Sequence, residues 1–138
     1  MRHCQQIHAV SCDEVFVDLT AVVQPLTGSD SPGEAAARPT AAQLIARIRQ
    51  EIADELGIAA SAGVAHNALL ARMCTRVAKP NGQHVLLPAD ALEFVGQRGI
   101  DELPGIGWSH ARKLCEEGVE TCTDLQQVPR ARLQVNNK

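Results

Sequence analysis

The sequence contains almost no aromatic side chains: one tryptophan, two phenylalanines and no tyrosine among 138 residues. Hydrophobic residues make up 45% of the chain, which is enough for a core, but that core must be aliphatic. No apolar run approaches the roughly 20 residues of a membrane-spanning helix, so we expect no membrane contact. A chain of this length suits one compact domain or two small units.

The sequence also lacks an excess of positive charge, with 13 Lys and Arg against 16 Asp and Glu. This excludes a nucleic-acid-binding protein held mainly by bulk positive charge, because such proteins are strongly basic. The five cysteines form no CxxC pair and no Cys/His spacing of a zinc site. An odd, scattered set of thiols predicts reduced cysteines in an intracellular reducing compartment.

The most informative stretch that is present is Leu103-Pro104-Gly105-Ile106-Gly107. It predicts a helix-hairpin-helix whose turn needs Gly105 and Gly107, because a Cβ there would obstruct the backbone or its close approach. The second helix is expected to open at Ser109, and its first amides have no internal partner. Such amides suit a phosphate, which predicts nucleic acid as a ligand without sequence preference. The alternative is an ordinary helix C-cap followed by an N-cap.

Three residues after this turn bear on the choice between these interpretations. Ala111 and Leu114 lie where the second helix of a hairpin would pack, which favours the hairpin. We expect Trp108 to pack beside the hairpin, and stacking on a base is the alternative.

Apolar periodicity predicts alternating strands and helices before the hairpin. Two strands are expected within residues 7–19, followed by a mobile surface loop at residues 23–40, where Pro, Gly, Ser and Ala are frequent. The remaining elements are a helix from Thr40 to Gly57, a strand within 58–65, a helix over 67–79, a strand near 84–87 and short helices thereafter. This order predicts an α+β fold, with an antiparallel or mixed sheet carrying helices on one face, followed by a small all-helical unit. We place the two domains at residues 1–98 and 99–138.

Asp13 and Glu14 lie in the tight connection between the first two predicted strands. Carboxylates at a strand end are typical ligands of Mg²⁺, and two such ions can carry out phosphoryl transfer. Adjacent side chains on a strand diverge, so at least one further acid is needed to complete such a site. The alternative is that both residues only form a turn, and we expect Asp18 to support the strand end structurally.

Arg72, Arg76 and Lys79 lie within about 60° of one another on the predicted second helix. Leu70, Met73, Cys74 and Val77 occupy the opposite flank, so the helix is expected to bury one side. The cations then either face phosphates or form an ordinary solvated surface. Lys79 precedes a Pro-Asn-Gly turn, a position from which a lysine can reach a triphosphate.

Taken in order, these motifs resemble those of the Y-family translesion DNA polymerases. The resemblance is carried by Ser11-Cys12-Asp13-Glu14 through Asp18-Leu19-Thr20, by residues 61–72 (SAGVAHNALLAR) and 78–83 (AKPNGQ), and by the hairpin at residues 103–114. Three details resemble the deoxycytidyl-transferase branch in particular: the cysteine before the Asp-Glu pair, LLAR at residues 69–72 and TCTDLQ at residues 121–126.

The resemblance implies a partial palm over residues 1–98, in which Asp13 and Glu14 are catalytic metal ligands, and a truncated thumb over residues 99–138. It implies that Lys79 meets the phosphates of the incoming nucleotide and that the Gly105–Gly107 turn holds the primer backbone. It also implies Mg²⁺ as cofactor, a DNA primer-template and dCTP as partners, a nuclear location, and insertion of dCMP opposite damaged or abasic template. No binding segment for other repair proteins is recognised.

In this family a first catalytic aspartate and a fingers subdomain precede the Asp13 motif, and a little-finger domain follows the thumb; none has a counterpart in this sequence. We therefore expect a truncated gene product or an incomplete gene model, with an incomplete two-metal site. Substrate positioning supplies on the order of 7–11 kcal/mol of catalysis, so this polypeptide alone is expected to show no polymerase activity.

Two other functions remain open at this point. The chain is a non-catalytic DNA-binding module if only the hairpin is functional. A base-excision glycosylase also combines such a hairpin with a later aspartate, for which Asp124 is suitably placed. Asp124 stands at a helix start, however, where a capping role is the simpler interpretation.

Overall fold

A computed structural model describes residues 6–27 and 34–135, which divide into two compact units, Met1–Pro88 and Ala89–Lys138. The first unit contains β1 (Ile7–Ala9), β2 (Val15–Val17), α1 (Thr20–Thr27), α2 (Glu34–Leu56), β3 (Ala62–Val64), α3 (Ala68–Ala78) and β4 (Gln83–Val85). A 3-10 turn at Pro88–Asp90 leads into the second unit, which contains α4 (Ala91–Gly96), a 3-10 turn at Ile100–Glu102, α5 (Trp108–Glu116), α6 (Cys122–Gln127) and α7 (Arg130–Val135). The boundary predicted at residues 98 and 99 falls inside this second unit.

The strands form two small sheets of opposite kind. β1 and β2 pair antiparallel, with Ile7 opposite Val17, whereas β3 and β4 pair parallel, with Ala62 opposite Gln83. The parallel pair is connected by α3, as such a pair requires. The α+β fold with an all-helical second part is confirmed, and no described helix is long and apolar enough to cross a membrane.

Helical structure replaces the surface loop that the sequence predicts for residues 23–40. α1 continues to Thr27 and α2 already begins at Glu34, so the loop prediction is wrong for both of these parts. A run of three alanines at residues 35–37 explains the error, because alanine has the highest helix propensity of all residues. Residues 28–33 lie outside the described part of the chain.

α3 packs onto the parallel strands through one flank, as its sequence pattern predicts. Asn67 caps the helix by accepting a hydrogen bond from the Leu70 amide at 2.9 Å, and Leu70, Met73, Cys74 and Ala78 are buried. Val77 is 41% exposed, so its placement on the buried flank is wrong. Three-residue strands span about 10 Å and therefore cover only part of an 11-residue helix.

The all-helical unit has a core of its own, formed by Ile100, Ala111 and Val119. Leu114 packs against this core, so both residues expected to pack the second hairpin helix do so. Backbone hydrogen bonds join the segment before the glycine turn to the segment before α6: the Ile100 amide donates to the Glu120 carbonyl, and the Cys122 amide donates to the Arg98 carbonyl, both at 2.9 Å. The glycine turn and α5 are therefore supported by packing and by backbone pairing, and the element before the turn is the 3-10 turn at Ile100–Glu102 where the hairpin prediction expects a helix.

β3 approaches α3 so closely that only glycine fits at residue 63. A Cβ on Gly63 would lie 2.2 Å from the Ala71 carbonyl oxygen and 2.3 Å from the Thr75 nitrogen, both of them backbone atoms that cannot turn aside. The contact between strand and helix thus depends on the missing side chain.

Gly63→Ala is expected to lower the free energy of unfolding by about 1–3 kcal/mol, since strand and helix must separate to admit the methyl group. Urea unfolding followed by circular dichroism measures the change. Gly107→Ser is the control, because a side chain there meets nothing within 4 Å, the φ of −81° suits any residue, and serine is at least as good an N-cap as glycine. Equal destabilisation of the two variants would contradict the close-approach argument.

Candidate functional site

Asp13 and Glu14 are presented by the short connection between β1 and β2. The amides of Val10 and Ser11 both donate to the Glu14 carbonyl, at 2.9 and 3.2 Å, which closes the turn. The Ser11 hydroxyl donates to the Asp13 carboxylate and accepts a hydrogen bond from the Glu14 amide at 3.1 Å. Ser11 therefore fixes both acids at one end of the antiparallel ribbon.

The Asp13 carboxylate is stabilised in its charged form. Its pKa lies below the ordinary value, first because the Ser11 hydroxyl donates to it, next because its own backbone amide does, and further because Lys79 carries a positive charge nearby. The fold thus brings Asp13 and Lys79 into one electrostatic neighbourhood, although they are far apart in sequence.

Arg72 reaches the same acidic pair from α3. One of its terminal nitrogens lies 3.2 Å from a Glu14 carboxylate oxygen, with the two side chains 48% and 37% exposed. Arg76 is exposed one turn further along the helix. Lys79 caps the end of α3, where its amide donates to the Thr75 carbonyl at 3.1 Å.

The pair offers a divalent cation the right donor chemistry. Both groups are carboxylates, the hard oxygen ligands that Mg²⁺ prefers, and Asp13 is held charged. No cluster of three or more potential metal ligands occurs within residues 6–27 and 34–135, so a complete cage is absent there. Asp18 accepts a hydrogen bond from the Thr20 amide at 2.9 Å, which agrees with the structural role expected of it. The residues therefore fit such an ion as part of a ligand set.

Arg49 is a feature of the site that sequence reasoning missed. From α2 its guanidinium donates to the Ala60 carbonyl at 2.7 Å, to the Asn81 carbonyl at 2.7 Å, to the Asn81 side chain at 2.9 Å and to Gln83 at 3.1 Å. It thereby holds the turn that directly follows Lys79. Most of its partners are carbonyl groups of distant residues, so no sequence motif signals this role.

The hairpin turn presents unpaired amides, as the sequence predicts. Gly105 has a φ of +99°, which glycine adopts most readily, and Gly107 is the N-cap of α5. The helix begins at Trp108, one residue before the predicted start at Ser109, because the Gly107 carbonyl already accepts from the His110 and Ala111 amides at 3.0 Å. Within the described chain, the amides of residues 107–109 donate to no acceptor.

The space above these amides is open. A Cβ built on Gly105 or Gly107 meets nothing within 4 Å, so no described part of the chain approaches closely at either position. Gly105 is explained by its backbone angle, whereas Gly107 has ordinary angles and no packing requirement. Apart from its place as N-cap of α5, the missing side chain at Gly107 leaves the exposed amides accessible from outside.

Trp108 does not pack beside the hairpin, and that prediction is wrong. Its side chain is 77% exposed, because Ile106 packs against the core at this end of the helix. The Arg112 guanidinium lies 5.7 Å from the centre of the indole ring, a cation–π contact on the surface of α5.

Asp124 serves as a helix cap. Its carboxylate accepts hydrogen bonds from the Thr121 amide and hydroxyl, both at 2.8 Å, and its own amide donates to the Thr121 hydroxyl at 3.2 Å. The Thr121 hydroxyl is also the main reason why the pKa of Asp124 is lowered. This reciprocal cap opens α6 and accounts for the aspartate without a catalytic role.

The two units together define a class of protein. One presents a carboxylate pair beside the cations Arg72 and Lys79, and the other presents free amides over a glycine turn. Carboxylates that can bind divalent ions, together with groups that can bind phosphates, are typical of enzymes that transfer nucleotidyl groups.

Comparison with known proteins gives the family. The impB/mucB/samB family matches residues 1–76, and the thumb domain of DNA polymerase-iota matches residues 101–136. The chain therefore belongs to the impB/mucB/samB family of Y-family translesion DNA polymerases.

Relatives extend over nearly the whole chain. The DNA repair protein Rev1 of Drosophila melanogaster is 40% identical over 88% of this chain and 11% of its own length. DNA polymerase IV of Serratia proteamaculans is 39% identical over 96% of this chain and 34% of its own length. The solved Dbh ternary complex superposes with a TM-score of 0.81 at 32% identity, over 96% of this chain and 36% of that one. The chain thus spans between about a tenth and a third of these relatives.

Arg49→Lys is expected to lower the free energy of unfolding by about 1–3 kcal/mol, because a lysine lacks the guanidinium fork that binds Ala60, Asn81 and Gln83 together. Urea unfolding followed by circular dichroism measures this. Arg47→Lys is the matched control on the same helix, since Arg47 is 72% exposed and pairs locally with Glu51. Unchanged midpoints in both variants would show that Arg49 does not hold the turn.

Proposed function

We propose that this chain supplies the palm carboxylates and the thumb hairpin of a translesion DNA polymerase that inserts dCMP opposite damaged or abasic template. The observation that carries the proposal is the ion pair between Arg72 and Glu14 beside Asp13, whose pKa is also lowered by the positive charge of Lys79. Two acids and two cations suit a nucleoside triphosphate with its metal, because the cations match the phosphates and the acids match the metal.

Each residue then has a role in nucleotidyl transfer. Asp13 and Glu14 would hold Mg²⁺, which when bound would supply the charge that activates an attacking hydroxyl and stabilises a departing pyrophosphate. Lys79 binds the phosphates of the incoming nucleotide as a compact point charge, held in place by the turn that Arg49 fixes. Arg72 and Arg76 contribute further positive charge along α3.

The hairpin holds the DNA backbone in this proposal. The unpaired amides around Gly107, including that of Ser109, bind a primer phosphate, with Gly105 and Ile106 shaping the turn. Contacts of this kind position a duplex without reading its sequence.

The choice of dCTP and a nuclear location are the more specific parts of the proposal. They are supported by the 40% identity to a protein named Rev1 from Drosophila melanogaster and by the LLAR and TCTDLQ stretches. A polymerase IV relative is almost equally similar at 39% identity, so the nucleotide preference needs a direct comparison of all four nucleotides.

Binding of dCTP to the chain, measured by isothermal titration with and without Mg²⁺, tests the site. Lys79→Ala is expected to weaken dCTP binding about tenfold, and Asp13→Ala to abolish the enhancement by Mg²⁺. Lys113→Ala on the hairpin helix is the charge-matched control and should bind as the wild type does. An unchanged dCTP affinity in Lys79→Ala would rule out the proposed nucleotide site.

Primer extension opposite template G is a second, separate test of the proposed function. With no cluster of three ligands among the described residues, we expect no product from this polypeptide with Mg²⁺ and dCTP. Clear incorporation that depends on Asp13 would show that the two acids suffice.

The second candidate function is sequence-independent DNA binding without catalysis. It is favoured by one observation, the glycine at residue 107 that neither backbone angle nor packing requires. A non-catalytic module would need the open amides and not the carboxylates.

Fluorescence anisotropy with duplex DNA over a range of salt separates the two units. Gly107→Val is expected to reduce DNA binding at least tenfold by covering the amides, whereas Asp13→Ala should bind normally. The salt slope should be shallow, because the net charge of −3 leaves few cations to neutralise phosphates. Full binding by Gly107→Val would rule out the hairpin as the DNA contact.

A further inference from the structure

The ion pair between Arg72 and Glu14 joins two distant parts of the sequence. Its members are 58 positions apart in sequence, whereas Arg47 pairs with Glu51 four residues along the same helix. The pair joins α3 to the turn that carries both candidate metal ligands. Only the folded chain brings these two side chains within 3.2 Å.

This contact uses the same group that a metal would use. A carboxylate oxygen that accepts from a guanidinium has less capacity left for a cation, and two positive groups at one carboxylate repel each other. Asp13 likewise has a positive neighbour in Lys79. Without a metal, both acids are therefore already balanced by cations of the chain itself.

We propose that Arg72 is the resident counter-ion of Glu14, that a divalent cation binds there by displacing it, and that the released guanidinium then pairs with nucleotide phosphate. The inference rests on the proposed function of the carboxylate pair. The exchange is accessible because both side chains are about half exposed and their contact can open into solvent. An exposed pair is also weak enough for a divalent ion to break.

The exchange makes two predictions of opposite sign for one variant. Arg72→Gln should bind a metal ion more tightly, since the competitor is gone, and should bind a metal-loaded nucleotide more weakly, since a phosphate partner is gone. A residue that merely supports the fold would weaken both kinds of binding when it is replaced. The opposite signs therefore separate exchange of partners from structural support.

Electron paramagnetic resonance with Mn²⁺ measures the first effect on the full chain. Arg72→Gln is expected to bind Mn²⁺ about 3–10-fold tighter than the wild type, and Arg72→Lys to fall between them. Arg47→Gln removes the same charge from an unrelated helix position and should match the wild type. Titration of dCTP at saturating Mn²⁺ should then show a loss of about 3–10-fold for Arg72→Gln.

The Mn²⁺ affinities of these variants separate the proposed exchange of partners from the proposed metal site. Mn²⁺ binding by Arg72→Gln that equals or falls below the wild type, with unchanged circular dichroism, overturns the exchange. Glu14→Gln and Asp13→Ala report on the proposed function: if neither weakens Mn²⁺ binding, the carboxylate pair is not the metal site, and the exchange fails with it. If both weaken it while Arg72→Gln changes nothing, only the exchange is wrong.

Discussion

The close approach of β3 to α3 at Gly63 is the constraint on which the carboxylate site depends. With no side chain between them, strand and helix backbones nearly touch, and α3 is held at a fixed depth against the parallel pair. The helix carries Arg72 in its middle and has Lys79 as its C-cap, so the position of the helix determines where both cations lie. Arg49 secures the following turn by donating to carbonyl groups from three segments.

The site is a balance of charges more than a preformed cage. Asp13 is kept ionised mainly by the Ser11 hydroxyl, with help from Lys79, and Glu14 is paired with Arg72. All of these groups are at least partly exposed, so water screens them and their partners can change. Such an arrangement agrees with the proposed binding of a metal together with a triphosphate, because contacts that can be exchanged are needed for both to bind.

The helical unit works by a different physical principle. Its candidate contact with phosphate is made of backbone amides, which need no charged side chain and are compatible with a net acidic protein. The core around Ile100, Ala111 and Val119 holds the turn in place, while the surface above Gly107 stays clear. At this end of the core the packed side chain is Ile106, and Trp108 is exposed to solvent.

The fold class, the helix between the caps Asn67 and Lys79, the acidic turn and the glycine turn before α5 could all be predicted from the sequence, because each of these depends on neighbouring residues: caps, glycines and short periodic patterns. The loop prediction failed from residue 34 onward, because the helix propensity of the alanines at residues 35–37 outweighs the nearby turn-forming residues. The pairing of Arg72 with Glu14, the effect of Lys79 on Asp13 and the hold of Arg49 on the turn after Lys79 became visible only in the folded chain. These contacts join residues that are distant in sequence. The residues around a lysine or arginine do not show which distant carboxylate or carbonyl oxygen it will contact, because folding brings the two together.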